Sequence, residues 1–292
     1  MATERKDTSE LLKKVRRIEL RTKRKSSQLF SGEYHSAFKG RGMAFSEVRE
    51  YAPGDEIRII DWNVTARTGI PHVKVFEEER ELTVMILMDI SGSDEFGTVE
   101  VSKRERMTEI AAVLAFSAIQ NNDKVGIIFF SDHVEGFIPP KKGRSHILHI
   151  IRNCLDVQAT SKGTNLDEAL RYLNNIVKKR SITFILSDFL DEGFMDAMRL
   201  ANKKHECIAL QVLDPKELAI PAMGLVCFQD AETGEQHWVD TDSKKVRRLI
   251  DEQNRSVRER LETELKRSGV DHELITTDED YVAPLMHLFK RR

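Results

Sequence analysis

Three short segments carry small oxygen side chains of the kind that hold a hard cation: Asp89-Ile90-Ser91-Gly92-Ser93, Gly163-Thr164-Asn165 and Ser187-Asp188-Phe189. Mg2+ takes six oxygens in octahedral array and keeps several waters. Hydroxyls of Ser91, Ser93 and Thr164 could coordinate it directly. The carboxylates of Asp89 and Asp188 could bind directly or through water and balance its charge. No His or Cys accompanies them, which argues against zinc. The plainer reading of the same residues is N-caps and turns, which Ser, Thr and Asp commonly supply.

The elements that must position these groups are legible from Leu82 onward, where apolar strands alternate with amphipathic helices. LTVMILMDI is a continuous apolar run that ends at the Asp89 cluster, and SITFILSDF ends at Asp188. KVGIIFFS and HECIALQVLD are two more such strands. Ser102-Lys103-Arg104-Glu105 reads as a capping box opening a helix with Met107, Ile110, Ala111, Leu114 and Ala118 on its apolar face. Further helices are predicted over Ile147–Leu155, from Asn165 (with Glu168 as its N-cap partner) to about Lys179, and over Gly193–Lys204. VCFQDAETGEQHWVD reads as a hairpin around Thr233-Gly234. A long helix follows, with Val246, Leu249, Ile250, Val257, Leu261 and Leu265 as its stripe and Gly269 as its stop. DHELITT and YVAPLMHLFKRR are a last strand and helix. Strands buried on both faces, interleaved with helices, predict a Rossmann-like α/β fold: a mostly parallel central sheet flanked by helices on both faces. In such sheets functional groups gather beyond the carboxyl ends of the strands, at the topological switch point.

Upstream lies a different text. Residues 1–30 are polar and basic, with Leu11, Leu12, Val15 and Ile18 at helical spacing. A surface helix docked on the body is the simpler reading, and a basic arm touching a membrane surface or nucleic acid is the alternative. Residues 30–80 are turn-rich, with Pro53-Gly54 as a turn and short strands near Phe45–Glu50 and Val73–Glu77. We therefore expect an N-terminal extension over 1–80 and an α/β domain over 81–292.

Composition bounds the function. The chain has 292 residues, 40% of them hydrophobic, enough for a sizeable core. Its 46 Lys+Arg against 48 Asp+Glu give a net charge of −2, which argues against a dedicated nucleic-acid binder. There is no apolar leader and no uninterrupted apolar run of ~18 residues, so neither a secretory signal nor a transmembrane helix is expected. Cys154, Cys207 and Cys227 are odd in number and widely spaced, as reduced cytoplasmic thiols would be.

The Asp-x-Ser-x-Ser of Asp89, Ser91 and Ser93, followed by Thr164 at a helix start and Asp188 at a later strand end, resembles the metal-ion-dependent adhesion site of von Willebrand factor type A domains. A second resemblance covers nearly the whole chain. GRGMAFSEVREYAPGDEIRIIDWNVTART looks like the signature of the domain of unknown function fifty-eight family, and VKVFEEERE, SGSDEFGT, DKVGIIFFSD, ILSDFLD, LDPKE, DAETGE and TTDEDYVAPLMHLF match it too. That family consists of bacterial proteins with a von Willebrand A-like domain, typically encoded beside MoxR-type AAA+ ATPases. Asp94 departs from it, since Met often follows the second Ser, and it adds negative charge beside the proposed metal. Within the signature, Asp55, Arg58, Asp61, Trp62 and Arg67 read either as an ion-pair and stacking network pinned to the sheet by Trp62, or as a partner-docking surface.

The resemblance implies a metal-dependent protein-interaction module, not an enzyme. Mg2+ or Mn2+ would offer an open coordination position to an acidic residue of a partner such as a MoxR-type AAA+ ATPase. No general base or nucleophile stands beside the motif, and His133 and His146 read as ordinary histidines. The rivals are a structural scaffold with a vestigial site and a metal-dependent phosphatase-like enzyme. The latter normally carries a second Asp two residues after its strand-end Asp, where this chain has Ser91.

Overall fold

A computed structural model describes residues 13–22, 34, 37, 43–78, 82–92, 101–161, 163–229 and 236–292. A six-stranded sheet organises the chain. Its strands are β3 (Thr83–Asp89), β4 (Lys124–Phe130), β5 (Val134–Lys141), β6 (Ile182–Ser187), β7 (Glu206–Leu213) and β10 (Asp271–Thr276), in the order β10-β7-β6-β3-β4-β5. All neighbours are parallel except β4 and β5. The chain leaves β3 for β4 on one side and later returns to its other side with β6. The switch point therefore falls between the carboxyl ends of β3 and β6, where Asp89 and Ser187-Asp188 stand.

β3 is apolar from Val84 to Met88 because both of its faces are buried. Val84, Ile86 and Met88 join one core, while Met85 and Leu87 join the other. Residues 13–22 (α1), α3 (Lys103–Gln120), α4 (Arg144–Asp156) and α9 (Val282–Lys290) cover the first face. The second is covered by α5 (Leu166–Ile176), α6 (Met195–Lys204) and the C-terminal part of α8 (Lys244–Arg267). Met107, Ile110, Ala111, Leu114 and Ala118 are all buried, as their spacing predicts. The Val15 and Ile18 stripe of α1 is buried too, and its Lys14 and Arg21 pair with Glu105 and Glu109 of α3. Leu11 and Leu12 lie outside the described residues.

The fold adds one strand that sequence patterning did not assign. β5 contains Pro139-Pro140, which lack ladder donors, and it is tolerated as the antiparallel edge. Gly126 lets it come close: a Cβ there would stand 2.8 Å from Pro140 N and 2.9 Å from Ile138 O. The predicted hairpin is present as β8 (Leu225–Gln229) paired with β9 (Gln236–Asp240), with its tip outside the described residues. α5 stops at Ile176, a few residues short of the expected Lys179.

In the extension, β1 (Met43–Glu50) pairs with β2 (His72–Glu78) around α2 (Trp62–Thr68). Arg49 grips Asp55 with both guanidinium Nη atoms at 2.7 and 2.6 Å. Asp61 caps α2, accepting from Asn63 N and Val64 N, and faces Lys74 at 3.7 Å. Gly54 takes the positive φ of 111° that its turn requires. Trp62 corrects the stacking expectation: it is 66% exposed, because α2 presents its first residue outward, and it stacks on no ring among the described residues. Ile57 and Ile70 are exposed beside it in sequence. The long stripe of α8 is likewise only partly used, with Leu261 and Leu265 buried but Leu249 and Val257 exposed.

Candidate metal centre

Asp89 ends β3, and burial on both sides of the strand carries it into the interior, with 1% exposure. One carboxylate oxygen, Oδ1, accepts from Ser91 N at 3.0 Å, and Oδ2 accepts from Ser187 Oγ at 2.7 Å. Among the described residues no Lys, Arg or His pairs with it. Burial, and then the charge of Asp188, push its pKa up to about 7 against the pull of the Ser91 and Ser187 hydrogen bonds. It is a buried acid short of positive charge.

The turn after β6 is built around Ser187, whose Oγ donates to Asp89 and accepts from Phe189 N at 3.0 Å. Phe189 is held at φ 57°, a left-handed conformation unfavourable for a bulky residue. Its ring is buried against Phe194, 6.0 Å between centroids, and that packing holds the turn. Asp188 is thereby directed inward. Its Oδ1 accepts from Leu190 N at 3.3 Å, and its carbonyl accepts from Gln211 Nε2 of β7 at 2.8 Å.

The partner on Asp188 Oδ2 was not foreseen. Lys103 Nζ donates to it at 3.0 Å and to Glu217 Oε1 at 2.9 Å, with the lysine side chain only 1% exposed. Burial disfavours the ammonium, but Asp188 and Glu217 more than offset this and raise its pKa above the ordinary lysine value. Glu217 belongs to the short helix α7 (Pro215–Leu218). There its Oε2 accepts from Asp214 N at 2.7 Å, closing a capping box at the carboxyl end of β7. Asp-Pro-x-Glu in LDPKE was the sequence signal for that geometry. Nothing comparable marks Lys103, which follows the cap Ser102 and reads as a solvated helix start.

Thr164 is half-buried in a loop tied to the same sheet edge. Asn165 N donates to Ser131 O, just past β4, at 2.7 Å, and Leu166 N donates to Asp191 Oδ2, past β6, at 2.8 Å. The predicted cap is present, with Glu168 N on Asn165 Oδ1 at 3.0 Å. The Thr164 loop is thus laced to both strands that flank β3. Ser91 is buried beside Asp89, whereas Ser93 and Asp94 lie outside the described residues. His133 pairs with Asp132 and Glu135, and His146 Nε2 sits 2.9 Å from Val125 O, so both have local structural partners.

The donor chemistry fits a hard divalent cation. Two inward carboxylates, one of them without a basic partner among the described residues, stand with Ser91 at one strand edge. The cysteines are elsewhere: Cys154 and Cys207 are buried with thiol pKa values pushed up to about 12 by burial. Among the described residues no three His, Cys, Asp or Glu side chains converge as a metal cage.

Sheet order and layering define an α/β protein of Rossmann-like architecture, a mostly parallel central sheet flanked by helices on both faces. More particularly, the chain belongs to the family described as "Protein of unknown function DUF58", which matches residues 47–260. It is similar to the uncharacterized protein Rv1480 of Mycobacterium tuberculosis, 32% identical over 231 residues covering 78% of this chain and 73% of that one. Among solved structures it is similar to the conserved hypothetical protein BatB from Bacteroides thetaiotaomicron, with a TM-score of 0.46 and 18% identity over 72% of this chain and 98% of that one. It is also similar to the SpRpn10 VWA domain, with a TM-score of 0.37 and 10% identity over 72% and 95% of the two chains. Among the described residues no helix is long and apolar enough to cross a membrane.

Proposed function

We propose that the protein is a non-enzymatic, divalent-metal-dependent interaction module that captures an acidic residue of a partner protein. The observation that carries this reading is Asp89: a carboxylate buried at the switch point, with no cation beside it among the described residues. Asp89, Ser91, Ser93, Thr164 and Asp188 would hold Mg2+ or Mn2+ directly or through water. The bound ion would supply an open coordination position for a carboxylate oxygen. The chain's own part is to keep Asp89 and Asp188 inward through Ser187, Phe189 and Gln211. The partner we propose is a MoxR-type AAA+ ATPase, for which this protein would act as a cytoplasmic adaptor. The exposed Trp62 and Ile57 of the signature block, with Ile70 just after it, support docking of a partner on the extension as well.

One observation favours the scaffold alternative: Lys103 already neutralises Asp188. The two readings separate in a capture experiment. Immobilised wild type should retain the purified ATPase in Mg2+ and release it in EDTA, while Asp89→Ala should retain it in neither. Equal capture by both proteins in both buffers would sink the proposal.

A further inference from the structure

We propose that Lys103 is a resident cation of the centre, competing with divalent metal for Asp188 and giving that carboxylate up by shifting onto Glu217. The inference rests on the metal-dependent reading above and adds its regulation. Lys103 is the first residue of an 18-residue helix, where the aligned peptide dipoles place positive potential. A cation fits poorly at that end, and a fully buried one worse still. It is stable there only because two acids from two other strand ends close on the same nitrogen, Asp188 after β6 and Glu217 after β7.

These two acids are not equivalent. Asp188 is 3% exposed and faces the centre, while Glu217 is 25% exposed and belongs to a four-residue helix fastened outside it through Asp214 N and Asn254 Nδ2. The ammonium thus bridges an inner acid and an outer one. If Asp188 turns to another cation, Lys103 keeps a partner without moving into water. With Asp89 ionised, Asp89, Asp188 and Glu217 against one ammonium leave two negative charges, the complement of a divalent ion.

The test is calorimetric titration of Mn2+ into wild type, Lys103→Met and Glu217→Gln. Lys103→Met removes the competitor and should bind Mn2+ about tenfold tighter or more. Glu217→Gln removes the outer acid, leaves the ammonium to Asp188 and should bind at least about threefold more weakly. General damage to the fold would weaken both, so the opposite signs are diagnostic. If Lys103→Met does not fold, Lys103→Gln takes its place, and unchanged or tighter binding by Glu217→Gln overturns the inference in either case. Wild type and Lys103→Met binding equally overturns it while leaving the metal reading intact. Mn2+ bound by Lys103→Met but not by wild type upholds it and ends metal-dependent capture for the wild type. No binding by either protein ends both.

Discussion

Replacing Asp89 by Asn should stabilise the metal-free protein while abolishing its response to metal. The carboxyl sits at about 7 instead of its ordinary 3.8 because it is buried and faces Asp188. The folded state therefore binds this proton more tightly than the unfolded chain. For this group, stability is greatest below about pH 4 and is lost as pH rises through 7. At ~1.4 kcal/mol per tenfold difference in proton affinity, the ionised form costs the folded protein about 4 kcal/mol above neutral pH. The Asn side chain can still accept from Ser91 N, but its amide meets the Ser187 hydroxyl, so ~1 kcal/mol of hydrogen bonding is at risk. A net gain of about 2–4 kcal/mol remains, or roughly 4–8 °C in Tm for a chain of this size. Thermal unfolding in EDTA should place Asp89→Asn above wild type by that margin at pH 8, with the gap more than halved at pH 5. Mn2+ at pH 8 should raise wild type alone. A variant no more stable than wild type at pH 8 in EDTA would refute the electrostatic argument, and an equal Mn2+ shift in both would remove Asp89 from the centre.

Three other outcomes are expected. Gly126→Ala should lower Tm by about 2–6 °C, since its Cβ would overlap backbone atoms of β5 that cannot turn aside, an overpacking cost of ~1–3 kcal/mol; an unchanged Tm would show that β5 does not approach β4 so closely. His205 is 1% exposed, and burial, then Lys204, lower its pKa to about 4; its contribution is complete above about pH 6.5 and fades toward pH 4, so His205→Gln should lose up to about 3 kcal/mol less than wild type between pH 7.5 and 4.5, as urea titration at the two pH values will show. Trp62→Ala should leave stability within ~0.5 kcal/mol, as exposed positions do, yet weaken ATPase capture; a fall in Tm beyond ~2 °C would restore the anchoring role that its exposure denies.

Much of the frame was legible because a doubly covered parallel sheet writes itself as uninterrupted apolar runs. β3, β4, β6 and β7 all read that way, and the polar residues closing two of them are Asp89 and Asp188. β5 was illegible because Pro139-Pro140 argue against a strand, an objection that holds for central strands and fails at an edge. Trp62 misled because a large aromatic in a turn-rich block suggests an anchor, while the segment is held by Arg49–Asp55 and the Asp61 cap. Lys103 was hidden for a different reason. Its environment is assembled from residues 85 and 114 positions away, and no local pattern reports a contact of that span.

The first turn of α3 is set by charge before it is set by packing. Lys103 is held by the ends of β6 and β7. Three residues on, Arg106 is held by the end of β10, donating to Thr277 O at 2.6 Å and lying 5.3 Å from the ring centre of Tyr281. Glu109 takes Arg106 from one side and Arg21 of α1 from the other. The apolar contacts run along the same helix through Met107, Ile110, Leu114 and Ala118. The motifs ILSDFLD, LDPKE and TTDEDYV are scattered along the chain, yet each brings a strand end to the same helix start. A cation that drew Asp188 away from Lys103 would act on one of these holds and leave the Arg106 hold in place. The helix would then stay docked while the charge at its tip is redistributed, so occupancy of the centre can change without unfolding the element that borders it.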